Sequence, residues 1–194
     1  MIPIKKEISG FVLAGGKSSR MGKDKGLIDF NGKQMIEYSI QALKEVCSSI
    51  YIISNNTDYN SFGYPVLSDL VKEKGPLAGI CTALSISKTD LNVMVTCDSP
   101  YISSALLSHL LEQSKGYEAV VPSYKAKLYP LTAVYTKACY ATLSKRLAED
   151  KLAVKSALEF VKTKQVQLST ELPFFDEKMM ANMNTLKELE IHED

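Results

Sequence analysis

The sequence predicts a three-layer α/β domain with a mostly parallel sheet, and three observations carry that prediction. Short apolar runs of strand length alternate with longer stretches of helical periodicity from residue 8 to about residue 168. The most continuous of the apolar runs, Asn92 to Thr96 with Val93, Met94 and Val95, lacks the alternation of a strand with one wet face, so it reads as a central strand buried on both sides. A glycine-rich basic loop follows directly on the first apolar run, which is where open α/β sheets place ligands. The 194 residues, 45% of them hydrophobic, suit one substantial core. No repeat, low-complexity tract or linker rich in Pro, Gly or Ser interrupts them, so a single domain over residues 1–194 is expected.

Ile8 to Ala14 is the first strand, and the loop after it runs from Leu13 through Gly15, Gly16, Gly22 and Gly26. Glycines of this kind can take positive φ angles that turn successive N–H groups toward one anion. Lys17, Arg20, Lys23 and Lys25 put four cations into nine positions, against the single acid Asp24. Phosphate binding explains this composition; a ligand-free turn between strand and helix remains the plain alternative. Neither G-x-x-x-x-G-K-[ST] nor G-x-G-x-x-G is present.

Leu27 to Phe30 is a short extended piece, Asn31-Gly32 a tight turn, and a helix begins near Gln34 with Ile36, Ile40, Leu43 and Cys47 on one face. Ser49 to Ser54 is the second long strand, and the strand–helix–strand order predicts a right-handed crossover in a parallel sheet. Val66-Leu67 is a further strand with Asp69 at its end, where an acid can cap or turn the chain as readily as it can touch a ligand. Lys72 to Gly79 is a loop entering a helix to about Ser87; Gly75-Pro76 is turn chemistry, and the helix N-terminus favours negative charge. After the central strand come Cys97 and Asp98, then Ser99-Pro100 opening a helix to about Ser114 with Leu106, Leu107, Leu110 and Leu111 as its stripe. Asp98 has two readings, a carboxylate for Mg²⁺ and an N-cap for that helix. Glu118 to Pro122 and Tyr129 to Thr136 read as strands, and the basic, aromatic stretch 123–128 between them either faces a second substrate or is a solvated hairpin. Helices at Ala138 to Glu149 and Val154 to Val161 precede a last strand, Lys164 to Leu168. Thr185-Leu186-Lys187-Glu188 has capping-box spacing.

Bulk properties exclude several classes of function. Twenty-three basic and 22 acidic residues give a net charge of +1, so the positive charge is local to the loop and nucleic acid is not an expected partner. Phe11 to Ala14 is too short for a signal peptide or a membrane span, which predicts a cytoplasmic chain without a membrane partner. Cys47, Cys81, Cys97 and Cys139 show no C-x-x-C spacing and read as buried thiols. With only His109 and His192, neither a zinc site nor a histidine-based triad is expected.

The loop Leu13-Ala14-Gly15-Gly16-Lys17-Ser18-Ser19-Arg20-Met21-Gly22, with Lys25 shortly after, resembles the opening motif of nucleotidyltransferases with a Rossmann-like core. Within that superfamily, Leu13-Ala14-Gly15-Gly16 with Asp24-Lys25-Gly26 most resembles the molybdenum cofactor guanylyltransferases. Asp69, Gly75-Pro76-Leu77-Ala78-Gly79, Cys97-Asp98-Ser99-Pro100-Tyr101 and Asn182-Met183-Asn184-Thr185 extend the likeness in the same order over most of the chain. The resemblance implies a Rossmann-like nucleotidyltransferase domain that takes GTP and molybdenum-molybdopterin as substrates and uses Mg²⁺. It implies nucleotide contacts at Leu13, Ala14, Gly15, Gly16, Lys25, Asp69, Gly79 and Asp98, with Asp98 on the metal. It implies that Lys25, Arg20 and Asp98 carry the catalysis and that Asn182 or Asn184 lies toward the acceptor or the metal. It also implies transient contact with proteins that deliver or receive the cofactor. A cytidylyltransferase on the same cofactor, a nucleotidyltransferase on a sugar or alcohol phosphate, and a non-catalytic nucleotide-binding regulator are the competing functions; Lys25 together with Asp98 exceeds what binding alone demands. Related cytidylyltransferases read Leu-Ala-Ala-Gly where this chain has Leu13-Ala14-Gly15-Gly16, so a methyl group at Gly15 is expected to disfavour a purine.

Overall fold

The computed structural model describes residues 7–15, 24–71 and 73–181. Its elements in chain order are β1 (Ile8–Leu13), β2 (Asp29–Phe30), β3 (Lys33–Gln34), α1 (Met35–Val46), β4 (Ser49–Ile53), β5 (Val66–Leu67), α2 (Gly75–Ile86), β6 (Leu91–Thr96) and α3 (Ser104–Glu112). There follow β7 (Ala119–Tyr124), β8 (Lys127–Leu128), β9 (Ala133–Thr136), α4 (Cys139–Ala148), α5 (Val154–Ala157) and β10 (Thr163–Gln167). Strand order in the main sheet is β10-β7-β9-β6-β1-β4-β5, with β8 hairpinned onto β7. The pairs β1–β4, β1–β6, β4–β5 and β7–β10 are parallel, whereas β9 runs antiparallel between β6 and β7. The sheet is thus mostly parallel, as the alternation of strand and helix patterns predicts, with an inversion that those patterns do not reveal.

Both faces of the sheet are covered, and alternate residues of each strand supply the two cores. Val12, Ile50, Ile52, Val93 and Val95 pack with Ile36, Ile40 and Leu43 of α1 and with Leu106, Leu107 and Leu110 of α3. Phe11, Ile53 and Met94 point the other way, into Leu77, Ile80 and Leu84 of α2 and Leu143 and Leu147 of α4. Every residue of β6 is buried, as its unbroken apolar run predicts for the strand at the centre. All four cysteines are buried, and none is in a disulfide.

Two expected boundaries are corrected. The helix expected from Ser99 begins only at Ser104. Residues 98–101 turn first, with the Ile102 N–H donating to the Ser99 carbonyl at 3.2 Å, and Ser103 then caps α3 by accepting from the Leu106 N–H at 3.2 Å. Ser103 as the cap removes the alternative role of Asp98 as N-cap to that helix. The strand expected over Tyr129 to Thr136 is paired only from Ala133. Pro130 lacks an N–H for a ladder, and residues 129–132 instead close a turn through Thr132 N–H to the Tyr129 carbonyl at 3.1 Å. Stretch 123–128 is a hairpin whose two tip residues, Lys125 and Ala126, have φ of 46° and 61°. Among the described residues no helix is long and apolar enough to cross a membrane.

Candidate active site

Beside β1, chain order and strand order diverge. The chain moves outward from β1 to β4 and β5, then returns through α2 to β6 on the opposite side of β1. The crevice at the carboxyl ends of β1 and β6 is the switch point at which such sheets hold ligands. Strand register places the sequence candidates there. Leu13 pairs with Thr96 and with Ile53, and Ile53 pairs with Leu67. Gly15, Asp98 and Asp69 each lie two residues beyond that common level, so three strand ends deliver them to one edge. The edge is tightly tied: the Ala14 N–H donates to the Ile53 carbonyl at 2.9 Å, Cys97 N–H to the Leu13 carbonyl at 3.2 Å, and Ser54 N–H to the Leu67 carbonyl at 2.9 Å. Leu13 is half-buried, Ala14 buried and Gly15 exposed.

Lys25 reaches this edge from the turn before β2, and its Nζ lies 3.4 Å from Asp98 Oδ2 with both side chains mostly buried, 24% and 14% exposed. The turn is a single 3-10 helix, Lys25–Leu27, capped by Asp24, whose Oδ1 accepts from the Gly26 N–H at 3.3 Å. Asp24 Oδ1 also accepts from the Tyr59 hydroxyl, and its Oδ2 from Asn56 Nδ2 at 3.3 Å. Burial holds the neighbouring Cys97 thiol well above its usual range, and the charges of Asp98 and Asp24 add to the effect, so it stays protonated and is no nucleophile.

Asp69 has different surroundings. Its Oδ1 is buried and has no hydrogen-bond partner among the described residues. Burial raises its pKa, and among the described residues no neighbouring cation opposes the shift. It stands between two glycines: a Cβ added at Gly79 would lie 3.6 Å from Asp69 Oδ1 and 3.4 Å from Leu13 Cδ2, and one added at Gly15 would lie 3.8 Å from Asp69 Oδ2. An unpaired buried acceptor at a strand end, beside an exposed glycine, calls for a ligand that donates hydrogen bonds. Behind it, α2 opens at Gly75 without a side-chain cap, which leaves its first turn suited to an anion.

The expectation of positive φ is corrected at two glycines, since neither Gly15 nor Gly26 adopts it. Gly26 is needed for space instead: a Cβ there would collide with the Tyr59 hydroxyl and lie 3.0 Å from Cys97 Cβ. Gly16, Arg20, Asn182 and Asn184 lie outside the described residues, as do Lys17 and Lys23. Ala181, the last described residue, packs with Tyr101 against Phe30 and Met35, which brings the chain back beside the segment that follows Asp98. Asp24, Asn56 and Tyr59 are parts of the site that the sequence did not single out for a role.

Residues 10–166 match the model of the MobA-like NTP transferase domain. The chain belongs to this family. It is 34% identical over 183 residues to a protein of Flavobacterium johnsoniae named probable molybdenum cofactor guanylyltransferase, covering 94% of each chain. The crystal structure of molybdopterin-guanine dinucleotide biosynthesis protein A from Archaeoglobus fulgidus superposes with a TM-score of 0.80 at 23% identity, covering 95% of this chain and 96% of that one. The 4-diphosphocytidyl-2C-methyl-D-erythritol synthase of Anaerococcus prevotii shares the fold alone, with a TM-score of 0.73 at 14% identity over 97% of both chains. The family makes the chain a nucleotidyltransferase with a Rossmann-like core, and the crevice between β1 and β6 is its candidate active site.

Proposed function

We propose that the chain transfers GMP from GTP to the terminal phosphate of molybdenum-molybdopterin, giving the guanine dinucleotide cofactor and pyrophosphate. The observation that carries this reading is the pair of Lys25 and Asp98, a cation and a carboxylate 3.4 Å apart at the switch point of a parallel sheet. A terminal phosphate oxygen of the acceptor attacks the α-phosphorus of GTP, a new P–O bond forms, and the bond to the β-phosphate oxygen breaks as pyrophosphate leaves. The attacking oxygen belongs to a phosphate monoester whose second pKa is about 6, so at neutral pH it is already an anion and needs no strong base. That suits a crevice without a histidine: the one histidine among the described residues, His109, lies in α3 with its ring 5.2 Å from that of Phe174. Catalysis then rests on bringing two anions together and stabilising charge on the leaving group. Lys25 supplies a cation for the α-phosphate or the departing pyrophosphate, and the backbone around Gly15 is the seat of the phosphates. Asp69 accepts hydrogen bonds from the ribose or base, which gives its unpaired Oδ1 a partner.

The donor set at β6 fits Mg²⁺. This ion is held by one or two carboxylates together with substrate phosphates rather than by a closed protein cage, and Asp98 offers such a carboxylate. Bound there, Mg²⁺ would offset phosphate charge and polarise the reacting phosphoryl group. Gly15 leaves a space beside the nucleotide edge in which a Cβ would meet no atom of the other described residues closer than 3.8 Å, consistent with room reserved for guanine. Four buried cysteines, none in a disulfide, suit a cytoplasmic setting, and passing contact with proteins that deliver or receive the cofactor belongs to the same reading. The test is to incubate the protein with each NTP, Mg²⁺ and molybdenum-molybdopterin and follow pyrophosphate. Release with GTP that depends on the acceptor is expected. A preference for CTP, or release without the acceptor, contradicts the proposal.

A further inference from the structure

We propose that Tyr59 and Asp24 form a positioning clamp that sets Lys25 against Asp98, a role that rests on the transferase reading only for its kinetic consequence. Lys25 is held by its neighbours on both sides. Asp24, before it, receives three donors: the Tyr59 hydroxyl and the Gly26 N–H on Oδ1, and Asn56 Nδ2 on Oδ2. Gly26, after it, lies so close under the Tyr59 hydroxyl that no Cβ fits between them. The same missing Cβ would lie 3.0 Å from Cys97, the residue that precedes Asp98. One phenol oxygen therefore abuts the turn that presents Lys25 and neighbours the strand end that presents Asp98.

The anchor itself is rigid. Tyr59 is completely buried, in a 3-10 segment, Thr57–Phe62, that follows β4 and is capped by Asn56 through the Asp58 N–H at 2.9 Å. Its ring packs beside Phe62 with centroids 6.1 Å apart. A tyrosine buried this fully needs a partner for its hydroxyl, and a carboxylate acceptor makes the stronger, charge-assisted kind of hydrogen bond. Burial raises the phenol well above its usual pKa, so it remains a donor through the neutral range. A lysine side chain has four rotatable bonds and a flexible stem; fixing the backbone on both sides of it reduces the arrangements its Nζ must lose when phosphate arrives. Neither Tyr59 nor Asp24 needs to touch substrate for this. Each acts through Lys25.

Two variants and one background test the clamp. Tyr59→Phe keeps the buried ring and removes only the donor; Asp24→Asn keeps the shape and removes the charge. Each is expected to lower kcat by about ten-fold with KM for GTP changed less than about two-fold. In a Lys25→Ala background the same substitutions should change kcat by less than about two-fold, because the group they position is gone. Equal fold losses in both backgrounds would overturn the clamp, and so would full kcat in a folded Tyr59→Phe protein. A second readout needs no turnover: in protein with ¹³C-dimethylated lysines, the Lys25 signal, identified by its loss in Lys25→Ala, should move in Tyr59→Phe while that of Lys44 stays. An unmoved Lys25 signal overturns the clamp even if the acceptor proves to be another phosphate, whereas a moved signal with no GTP-dependent transfer by the wild type overturns the transferase reading and leaves the clamp standing.

Discussion

Two carboxylates stand at the same edge of one sheet, each two residues beyond a common strand level, and their surroundings are opposite. Asp98, after β6, faces Lys25 at 3.4 Å, in front of a partly buried network of Asp24, Asn56 and Tyr59. Asp69, after β5, has a buried oxygen with no partner among the described residues and a raised pKa. The contrast separates two kinds of work. An acid can hold a metal while a cation beside it meets the phosphates, whereas an unpaired buried acceptor stays costly until a ligand supplies donors. On the proposed function the first arrangement serves bond making and the second recognition, so substitutions in the two regions should fail differently.

The largest effect is expected at Asp98. Asp98→Asn preserves shape and removes the charge that would hold the metal, and should lower kcat/KM by about 100- to 1,000-fold at fixed Mg²⁺ in a protein with unchanged circular dichroism. Wild-type turnover by that variant removes Asp98 from the metal. Lys25→Ala comes next, with kcat falling about 100-fold and KM for GTP moving less than about three-fold, since its charge matters most as the leaving group becomes negative. Matching losses in steady-state KM and kcat would make Lys25 a ground-state anchor instead.

Asp69 should break the pattern in the opposite sense. A carboxylate whose folded pKa is raised favours the fold below its unfolded pKa, and that contribution is lost as pH rises through the folded pKa. At neutral pH the buried charge is therefore a burden on the nucleotide-free protein. Asp69→Asn should raise its melting temperature by about 2 °C, and the gain should shrink as the pH is lowered toward the range where the wild-type acid is protonated. The same change should weaken GTP by about ten-fold with kcat nearly unchanged. A lower melting temperature would mean that Asp69 has a favourable role in the empty fold. The smallest effect is expected at Gly15, where a Cβ has room against the other described residues but, on the proposed placement of the base, would crowd a purine. Gly15→Ala should lower the ratio of kcat/KM for GTP to that for CTP by about five-fold, and an unmoved ratio places base selection elsewhere.

How far the sequence discloses each region follows from the range of the contacts involved. Asp69 and Asp98 are legible because apolar runs end just before them, and strand ends at one sheet edge are a local signal. The network behind Lys25 is not: Asp24 belongs to a recognisable motif, but nothing local marks Tyr59, 35 residues away, as its partner. Gly26 looks like a φ-permissive loop glycine, yet the reason for it is the hydroxyl of a distant tyrosine. The antiparallel β9 is hidden for a similar cause: four residues, Ala133–Thr136, carry no mark of direction, and only pairing with Leu91–Met94 reveals it. Ser99-Pro100 reads as a helix start by composition, but the Thr96 and Ser99 hydroxyls bond at 2.7 Å and hold a turn, so that α3 begins beyond Asp98.

The division of labour between the two acids is tested most directly by calorimetric titration of GTP with and without Mg²⁺ into the wild type, Asp98→Asn and Asp69→Asn. Mg²⁺ is expected to tighten GTP in the wild type and in Asp69→Asn but not in Asp98→Asn, while Asp69→Asn alone is weakened when Mg²⁺ is absent. Retention of the Mg²⁺ effect by folded Asp98→Asn, or its loss in Asp69→Asn, would contradict that division.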